Sequence, residues 1–174
     1  GHLIDGRYIF SGVELDLEVE NPWLIEVPSP EVERALHGFH WLNDLAVLGN
    51  VKARRLALEW IRKWYLYNSG TRKIGWDAYY TALRCINILR NWSFLNHSAE
   101  TDFDYNGKFL WRHYKYLKIM ISGYPVGFKK LQILYSVLLL GEAFSSSIRI
   151  QKRTVKKLCK VFNQLFDVNG HIAS

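Results

Sequence analysis

The chain has 174 residues, of which 49% are hydrophobic and 15% aromatic, and its formal net charge is +7. This composition excludes general disorder, and the length suits one domain with a sizeable core. The longest apolar run, 133–140, is interrupted by polar residues and is far too short to cross a bilayer.

The charge is divided unevenly along the chain. Within residues 1–33, eight acids stand against Arg7 alone, whereas the remainder holds 22 bases and eight acids, or +14. A strongly basic body favours an anionic partner such as polysaccharide, nucleic acid or a membrane surface. Alternatively, the acidic arm folds back on the basic body and leaves little net field. The sequence supports these two interpretations about equally.

The first part of the chain predicts a short β-hairpin. Val13, Leu15, Leu17 and Val19 alternate strictly with acidic residues, which places all four on one face of a strand. Three prolines between 22 and 30 then mark an irregular connector. We therefore assign residues 1–28 to a β-hairpin and connector, and residues 29–174 to a helical domain.

From Ser29 onward the apolar spacing predicts six helices. Ser29 followed by Pro30 matches an N-cap and a favoured first-turn proline. The predicted helices lie near 30–48, 51–67, 77–97, 104–122, 127–144 and 151–166. The third and fifth are apolar nearly all round, as buried helices are, and the second, fourth and sixth are amphipathic. This alternation predicts an all-α fold, a partial (α/α) toroid of about three helical hairpins, preceded by the β-hairpin and incomplete as a ring.

Polar residues form one stripe on the otherwise apolar third helix. Asp77, Tyr80, Arg84, Asn87 and Asn91 are spaced by three or four residues, so they share a face. In one hypothesis this face lines a binding cleft and Arg84 meets a carboxylate through two parallel hydrogen bonds. In the other, which we favour, the stripe is a buried network that joins neighbouring hairpins, with Asp77 as an N-cap.

Metal and cofactor chemistry find little support in the sequence. His37 and His40 are three residues apart, but no further ligand lies at a suitable spacing, so core packing is the favoured interpretation. The two cysteines, Cys85 and Cys159, fall within predicted helices and are expected to be reduced and buried. No phosphate-binding loop or hydrolase triad is present, and no cofactor is predicted.

Several strings resemble the N-terminal region of the heparinase II/III-like polysaccharide lyases. Their order and spacing agree with that family over nearly the whole chain. The strings are WLIE at 23–26, LHGFHWLNDL at 36–45, WI at 60–61, GWD at 75–77, ALRCINIL at 82–89 and DVNGHI at 167–172.

The resemblance implies an (α/α) toroid followed by an antiparallel β-sheet domain, with acidic polysaccharide bound in the cleft between them. The family chemistry is β-elimination from a uronic acid. In active members Asn, His and Tyr neutralise the carboxylate charge, remove the adjacent proton and protonate the leaving oxygen. A bacterial periplasmic or cytoplasmic location would follow, although the sequence itself does not choose between them.

The chain departs from the family pattern at its catalytic positions. Active members carry an Asn-His pair where this chain has Tyr124-Pro125-Val126-Gly127-Phe128. The catalytic Tyr and the β-sheet domain would lie beyond the segment that contains His171. No catalytic residue is therefore assigned, and we expect the chain by itself to be inactive.

The resemblance nevertheless implies a set of substrate-binding residues. Trp76, at the mouth of the third helix, would stack on a sugar ring. Tyr124 occupies the loop where the family has its Asn-His pair, and it could equally be filler in a Gly-Tyr-Pro turn. The predicted set is Trp76, Tyr80, Arg84, Asn87, Tyr124 and His171.

Three functions follow from the sequence. The first is the helical N-terminal domain of a heparinase II/III-like protein that binds acidic polysaccharide for uronate β-elimination. The second is a non-catalytic saccharide-binding or cell-envelope scaffold, and the third is a helical-repeat interaction module for an acidic partner. Nucleic acid is the less favoured anionic partner.

Overall fold

The computed structural model describes residues 7–10, 13–16, 22–24, 29–68, 70, 74–96, 103–144 and 148–166. Two short strands, β1 (Arg7–Phe10) and β2 (Val13–Asp16), pair antiparallel. Their register places Arg7 opposite Asp16 and Phe10 opposite Val13.

The rest of the described chain confirms the predicted helical class. A 3₁₀ turn over Ile74–Trp76 precedes the fourth of eight described α-helices. The helices are α1 (Pro30–His37), α2 (Trp41–Leu48), α3 (Val51–Tyr67), α4 (Ala78–Arg90), α5 (Trp92–Leu95), α6 (Phe103–Met120), α7 (Phe128–Ala143) and α8 (Ile148–Leu165).

Local side-chain caps fix three of the helix starts. The Ser29 hydroxyl accepts a hydrogen bond from the Val32 amide at 3.3 Å, as the sequence predicts. Asn50 caps α3 in the same way, and the Asp77 carboxylate caps α4. Each cap satisfies an amide that would otherwise lack a partner in the first helical turn.

The single helix predicted over 30–48 is wrong, because the chain breaks at 38–40. Phe39 has a φ of +60°, which a non-glycine residue rarely adopts. Its ring is fully buried, with its centroid 5.0 Å from that of Trp41 and 5.9 Å from that of Trp64. Burial of this ring stabilises the fold by roughly 2 kcal/mol, which offsets the left-handed backbone cost of about 1–2 kcal/mol. The helix predicted over 77–97 is also divided, at Asn91 between α4 and α5.

Helices α4 and α7 occupy the centre of the helical body. Helix α4 packs against α1, α2, α6 and α7, while α7 packs against α4, α6 and α8. The prediction of a buried helix is confirmed for α4, whereas α7 is buried on one side only and exposes Phe128 and Tyr135 on the other. The core is strongly aromatic, and its largest fully buried side chains include Trp41, Trp64, Phe39 and Phe109.

Candidate functional site

Arg84 lies at the centre of the predicted polar stripe and is fully buried. Its Nη1 donates to the carbonyl oxygens of His37 at 2.7 Å and Gly75 at 3.1 Å. Its Nη2 donates to the Thr81 hydroxyl at 3.2 Å, and its Nε donates to His113 Nε2 at 3.1 Å. The guanidinium therefore ties the end of α1 and the 3₁₀ turn to α4 and α6.

Aromatic faces surround this buried cation. The guanidinium carbon lies 3.8 Å from the ring centroid of Trp64, 5.4 Å from that of Phe39 and 5.9 Å from that of Trp76. Ring faces attract a cation most strongly when water is excluded. Burial lowers the pKa of Arg84 to about 9, so the group keeps its charge at neutral pH.

Two buried histidines complete the network in their neutral form. His113 Nδ1 lies 2.7 Å from the Phe109 carbonyl and donates to it, which leaves Nε2 free to accept from Arg84. His37 Nδ1 accepts from the Trp64 indole N–H at 3.1 Å. Burial, and then the nearby charge of Arg84, lower the pKa of His37 to about 4 and that of His113 well below its usual value.

The asparagines of the stripe extend the same network toward α2. Asn87 Nδ2 donates to the Gly38 carbonyl at 2.8 Å, and Asn87 Oδ1 accepts from Asn43 Nδ2 at 3.2 Å. Asn91 Nδ2 donates to Asn43 Oδ1 at 2.8 Å. These contacts hold the irregular 38–40 connection against α4. The helix is interrupted at Gly38, and the Asn87 amide supplies its carbonyl oxygen with a hydrogen bond.

The N-terminal end of α4 carries the more accessible part of the stripe. Asp77 Oδ1 accepts from the backbone amides of Tyr79 at 2.9 Å and Tyr80 at 3.1 Å. The Tyr116 hydroxyl donates to the Trp76 carbonyl, which places α6 beside this end of α4. Tyr80 and Tyr116 meet at this end of α4, and the charge of Asp77 also acts on Tyr124; all three tyrosines are half-buried, and we call the group Asp77, Tyr80, Tyr116 and Tyr124 the Asp77 mouth.

The electrostatics of the Asp77 mouth keep its hydroxyls protonated. Burial, and then the negative charge of Asp77, raise the pKa of Tyr116 and of Tyr124. Burial, then the charges of Glu33 and Asp77, raise the pKa of Tyr80, whose hydroxyl donates to Glu33 Oε2 at 3.4 Å. Neutral hydroxyls donate and accept hydrogen bonds, and none of the three is a proton-abstracting base at neutral pH.

Two cations of α7, Lys129 and Lys130, border the Asp77 mouth, and Lys130 Nζ donates to the carbonyl oxygen of Tyr124. Lys129 is exposed, and its Nζ lies 5.3 Å from the ring centroid of Tyr79, the residue next to Tyr80. The mouth and its border therefore combine aromatic edges, neutral hydroxyls, the carboxylates of Asp77 and Glu33, and the ammonium groups of Lys129 and Lys130.

The structure separates the predicted substrate-binding residues into two groups. Trp76, Arg84 and Asn87 are at most 5% exposed, and the Trp76 ring is stacked on His113 with their centroids 4.7 Å apart. These three side chains do not reach the surface in this arrangement. Tyr80 and Tyr124 do reach it, at the Asp77 mouth.

The remaining sequence predictions fall as follows. His171 lies outside the described residues. Tyr116 and Lys129 belong to the site but were absent from the prediction, because nothing in the sequence links α6 and α7 to the start of α4. The thiol of Cys85 is buried as expected, whereas Cys159 is exposed.

Neither a metal site nor a membrane-spanning helix is found among the described residues. Among the described residues, no group of three His, Cys, Asp or Glu side chains is placed to hold a metal ion. None of the described helices is long and apolar enough to span a membrane.

Comparison with protein family models, curated proteins and solved structures found no match.

Proposed function

We propose that this chain is the helical N-terminal portion of a heparinase II/III-like protein and that it binds acidic polysaccharide at the Asp77 mouth. The observation that carries the proposal is that Tyr80 and Tyr116 meet at the start of α4, where the charge of Asp77 also acts on Tyr124, beside the exposed Lys129. The strings that resemble the family at 75–77 and 82–89 belong to this same end of α4 and its continuation.

The chemistry of the mouth suits a uronate-containing chain. Tyrosine rings present apolar faces to sugar rings, and their hydroxyls exchange hydrogen bonds with sugar hydroxyls. Lys129 supplies the positive charge for a uronate carboxylate. Asp77 Oδ1 accepts the two amide hydrogen bonds of the helix cap, so the role of Asp77 at the mouth is to hold the start of α4 in place.

The proposed architecture is a partial (α/α) toroid. Its support is the central packing of α4 and α7, together with the amphipathic character of the helices around them. Buried Arg84 acts as a brace behind the mouth rather than as a ligand for sugar. The proposed domain boundary between residues 28 and 29 and the elimination chemistry of the complete protein belong to the same proposal.

Binding by tyrosine variants tests the site. Tyr80→Ala and Tyr124→Ala should each weaken binding of a uronate oligosaccharide about tenfold, which corresponds to about 1.4 kcal/mol. Tyr135→Ala is the matched control, because Tyr135 is 49% exposed on α7 and is not a mouth residue. Calorimetric titration gives the affinities, and thermal unfolding checks that each variant folds. Equal affinity in all four proteins, or no binding by the unchanged chain, would contradict the proposal.

Ultraviolet absorbance of the unsaturated product tests the elimination. The complete protein incubated with a panel of uronate polysaccharides should generate product, whereas residues 1–174 alone should bind without generating it. Binding without product from either protein would support the non-catalytic saccharide scaffold instead and overturn the lyase assignment.

A further inference from the structure

A basic groove runs between α6 and α8, with α7 as its floor. Two adjoining cavities of about 340 and 390 Å³ share Ile121, Leu134 and Lys157, so they form one depression. Volumes of this size are typical of small-ligand sites. We call this depression the α6–α8 groove.

The floor and the rim of the groove have different chemistry. Its buried floor is aliphatic, formed by Ile121, Leu134, Val137 and Val161. Its rim carries five cations, and no acidic residue is among the described residues that line either cavity. The rim residues are Lys118, Lys130, Arg153, Lys157 and Lys160.

Helix α8 supplies most of this charge at regular intervals. Arg153, Lys157 and Lys160 lie along one side of the helix, and all three are exposed. A rise of about 1.5 Å per residue places the first and last of them about 10 Å apart. Such a row suits a ligand with repeated negative charges better than one with a single charge.

The groove begins beside the Asp77 mouth. Lys130 lines the groove, and its Nζ donates to the carbonyl oxygen of Tyr124 at 2.6 Å. Tyr124 is a mouth residue, so this bond places one end of the groove next to the segment that carries part of the mouth.

The lining selects among polyanions. Bases of single-stranded nucleic acid bind by stacking on aromatic side chains, and none is among the described lining residues of the groove. Saturated sugar rings present C–H faces that pack on an aliphatic floor while their acidic groups meet the rim. The lining therefore disfavours single-stranded nucleic acid and fits a polysaccharide.

We propose that the α6–α8 groove binds the continuing units of an acidic polysaccharide whose first units occupy the Asp77 mouth. This inference rests on the proposed function and assigns a second, electrostatic subsite that gives preference for long chains. The mouth recognises individual sugars, and the groove binds their repeated charges.

Charge reversal in the groove tests this subsite. Arg153→Glu with Lys157→Glu should weaken binding of a long heparin chain at least tenfold and lower the slope of log affinity against log salt by about two. The same variant should bind a short uronate oligosaccharide as the unchanged chain does. The matched control is Lys52→Glu with Arg55→Glu, which makes the same change in net charge on exposed positions of α3. It should retain long-chain binding.

The outcomes separate the two proposals. Equal loss in the groove variant and the α3 control would reduce the effect to net charge and overturn the groove. Equal affinity for long and short chains would also overturn it, while leaving the mouth in place. Failure of the short oligosaccharide to bind, with groove-dependent binding of the long chain, would overturn the mouth alone. Tighter binding of single-stranded DNA than of heparin, lost in the groove variant, would overturn the assignment to polysaccharide.

Discussion

Replacement of Arg84 by alanine should be among the most destabilising single changes in the chain. The change removes four hydrogen bonds and leaves the carbonyls of His37 and Gly75, the Thr81 hydroxyl and His113 Nε2 without this donor. Each buried acceptor left unsatisfied costs about 1–3 kcal/mol, partly offset by removal of a desolvated cation, so we expect a loss of about 4 kcal/mol in the free energy of unfolding.

A graded variant and a control make this measurable. Arg84→Lys keeps the charge but carries its donors on one nitrogen, so it cannot reproduce the four bonds that Arg84 makes from three nitrogens, and about 2 kcal/mol should be lost. Arg90→Ala removes an exposed arginine from the last turn of the same helix and should cost about 0.5 kcal/mol.

Urea unfolding at pH 7.5, followed by circular dichroism, provides the test. With an m-value of roughly 2 kcal/mol per molar urea, the midpoint should fall by about 2 M for Arg84→Ala and about 1 M for Arg84→Lys. A variant that is unfolded without urea also meets the expectation. Midpoints for Arg84→Ala and Arg90→Ala that agree within about 0.3 M would refute the bracing role.

Three further predictions concern pH, glycine positions and thiol reactivity. His37 has a pKa near the ordinary 6.5 when the protein is unfolded and about 4 when it is folded. The unfolded state therefore binds the proton first, and about 3 kcal/mol of unfolding free energy, fully present above pH 6.5, is lost as the pH falls toward 4. His37→Gln should flatten the dependence of unfolding free energy on pH in that window, and an unchanged slope would contradict the prediction. Gly75→Ala would place a Cβ 2.8 Å from the side-chain oxygen of buried Asn68 and should cost about 1–3 kcal/mol. Gly107→Ala meets no atom within 4 Å and should stabilise α6 by roughly 0.5–1 kcal/mol. Thermal unfolding of the two variants measures both effects. Iodoacetamide at pH 8 should modify exposed Cys159 in the folded protein, but should modify Cys85, whose pKa burial raises to about 12, only on unfolding; mass spectra showing equal rates would disprove this.

The helices themselves were largely predictable from the sequence. The prediction of 51–67 coincides with α3, and the predicted segments at 104–122 and 127–144 differ from α6 and α7 by no more than two residues at either end. Ser29 was predicted correctly as a cap because the hydrogen bond that it makes spans only three residues. Helix position depends on such local contacts and on the 3.6-residue spacing of apolar side chains, both of which the sequence displays directly.

The break at 38–40 was not predictable in this way. It depends on the burial of Phe39 against Trp64, a residue 25 positions later in the chain and in another helix. Local propensity favoured one continuous helix, and the tertiary packing of aromatic rings decided otherwise.

The polar stripe shows how far pattern alone carries. Its spacing was enough to place Asp77, Arg84 and Asn87 on one face of α4, because that face is a property of helix geometry. It favoured a buried network over a cleft but could not show the partners of Arg84, since His37 and His113 lie 47 and 29 residues away.

By itself the sequence determined a helical body, the caps Ser29 and Asp77, the buried character of α4 and the excess of basic residues after residue 33. Only the tertiary structure decided that Arg84 is enclosed while Tyr80 and Tyr124 reach the surface, and that cations from α6, α7 and α8 border one groove. The physical reason is the range of the interactions. Helices form through contacts between residues three or four positions apart, whereas a site forms where distant segments pack, and their pairing depends on the whole core at once.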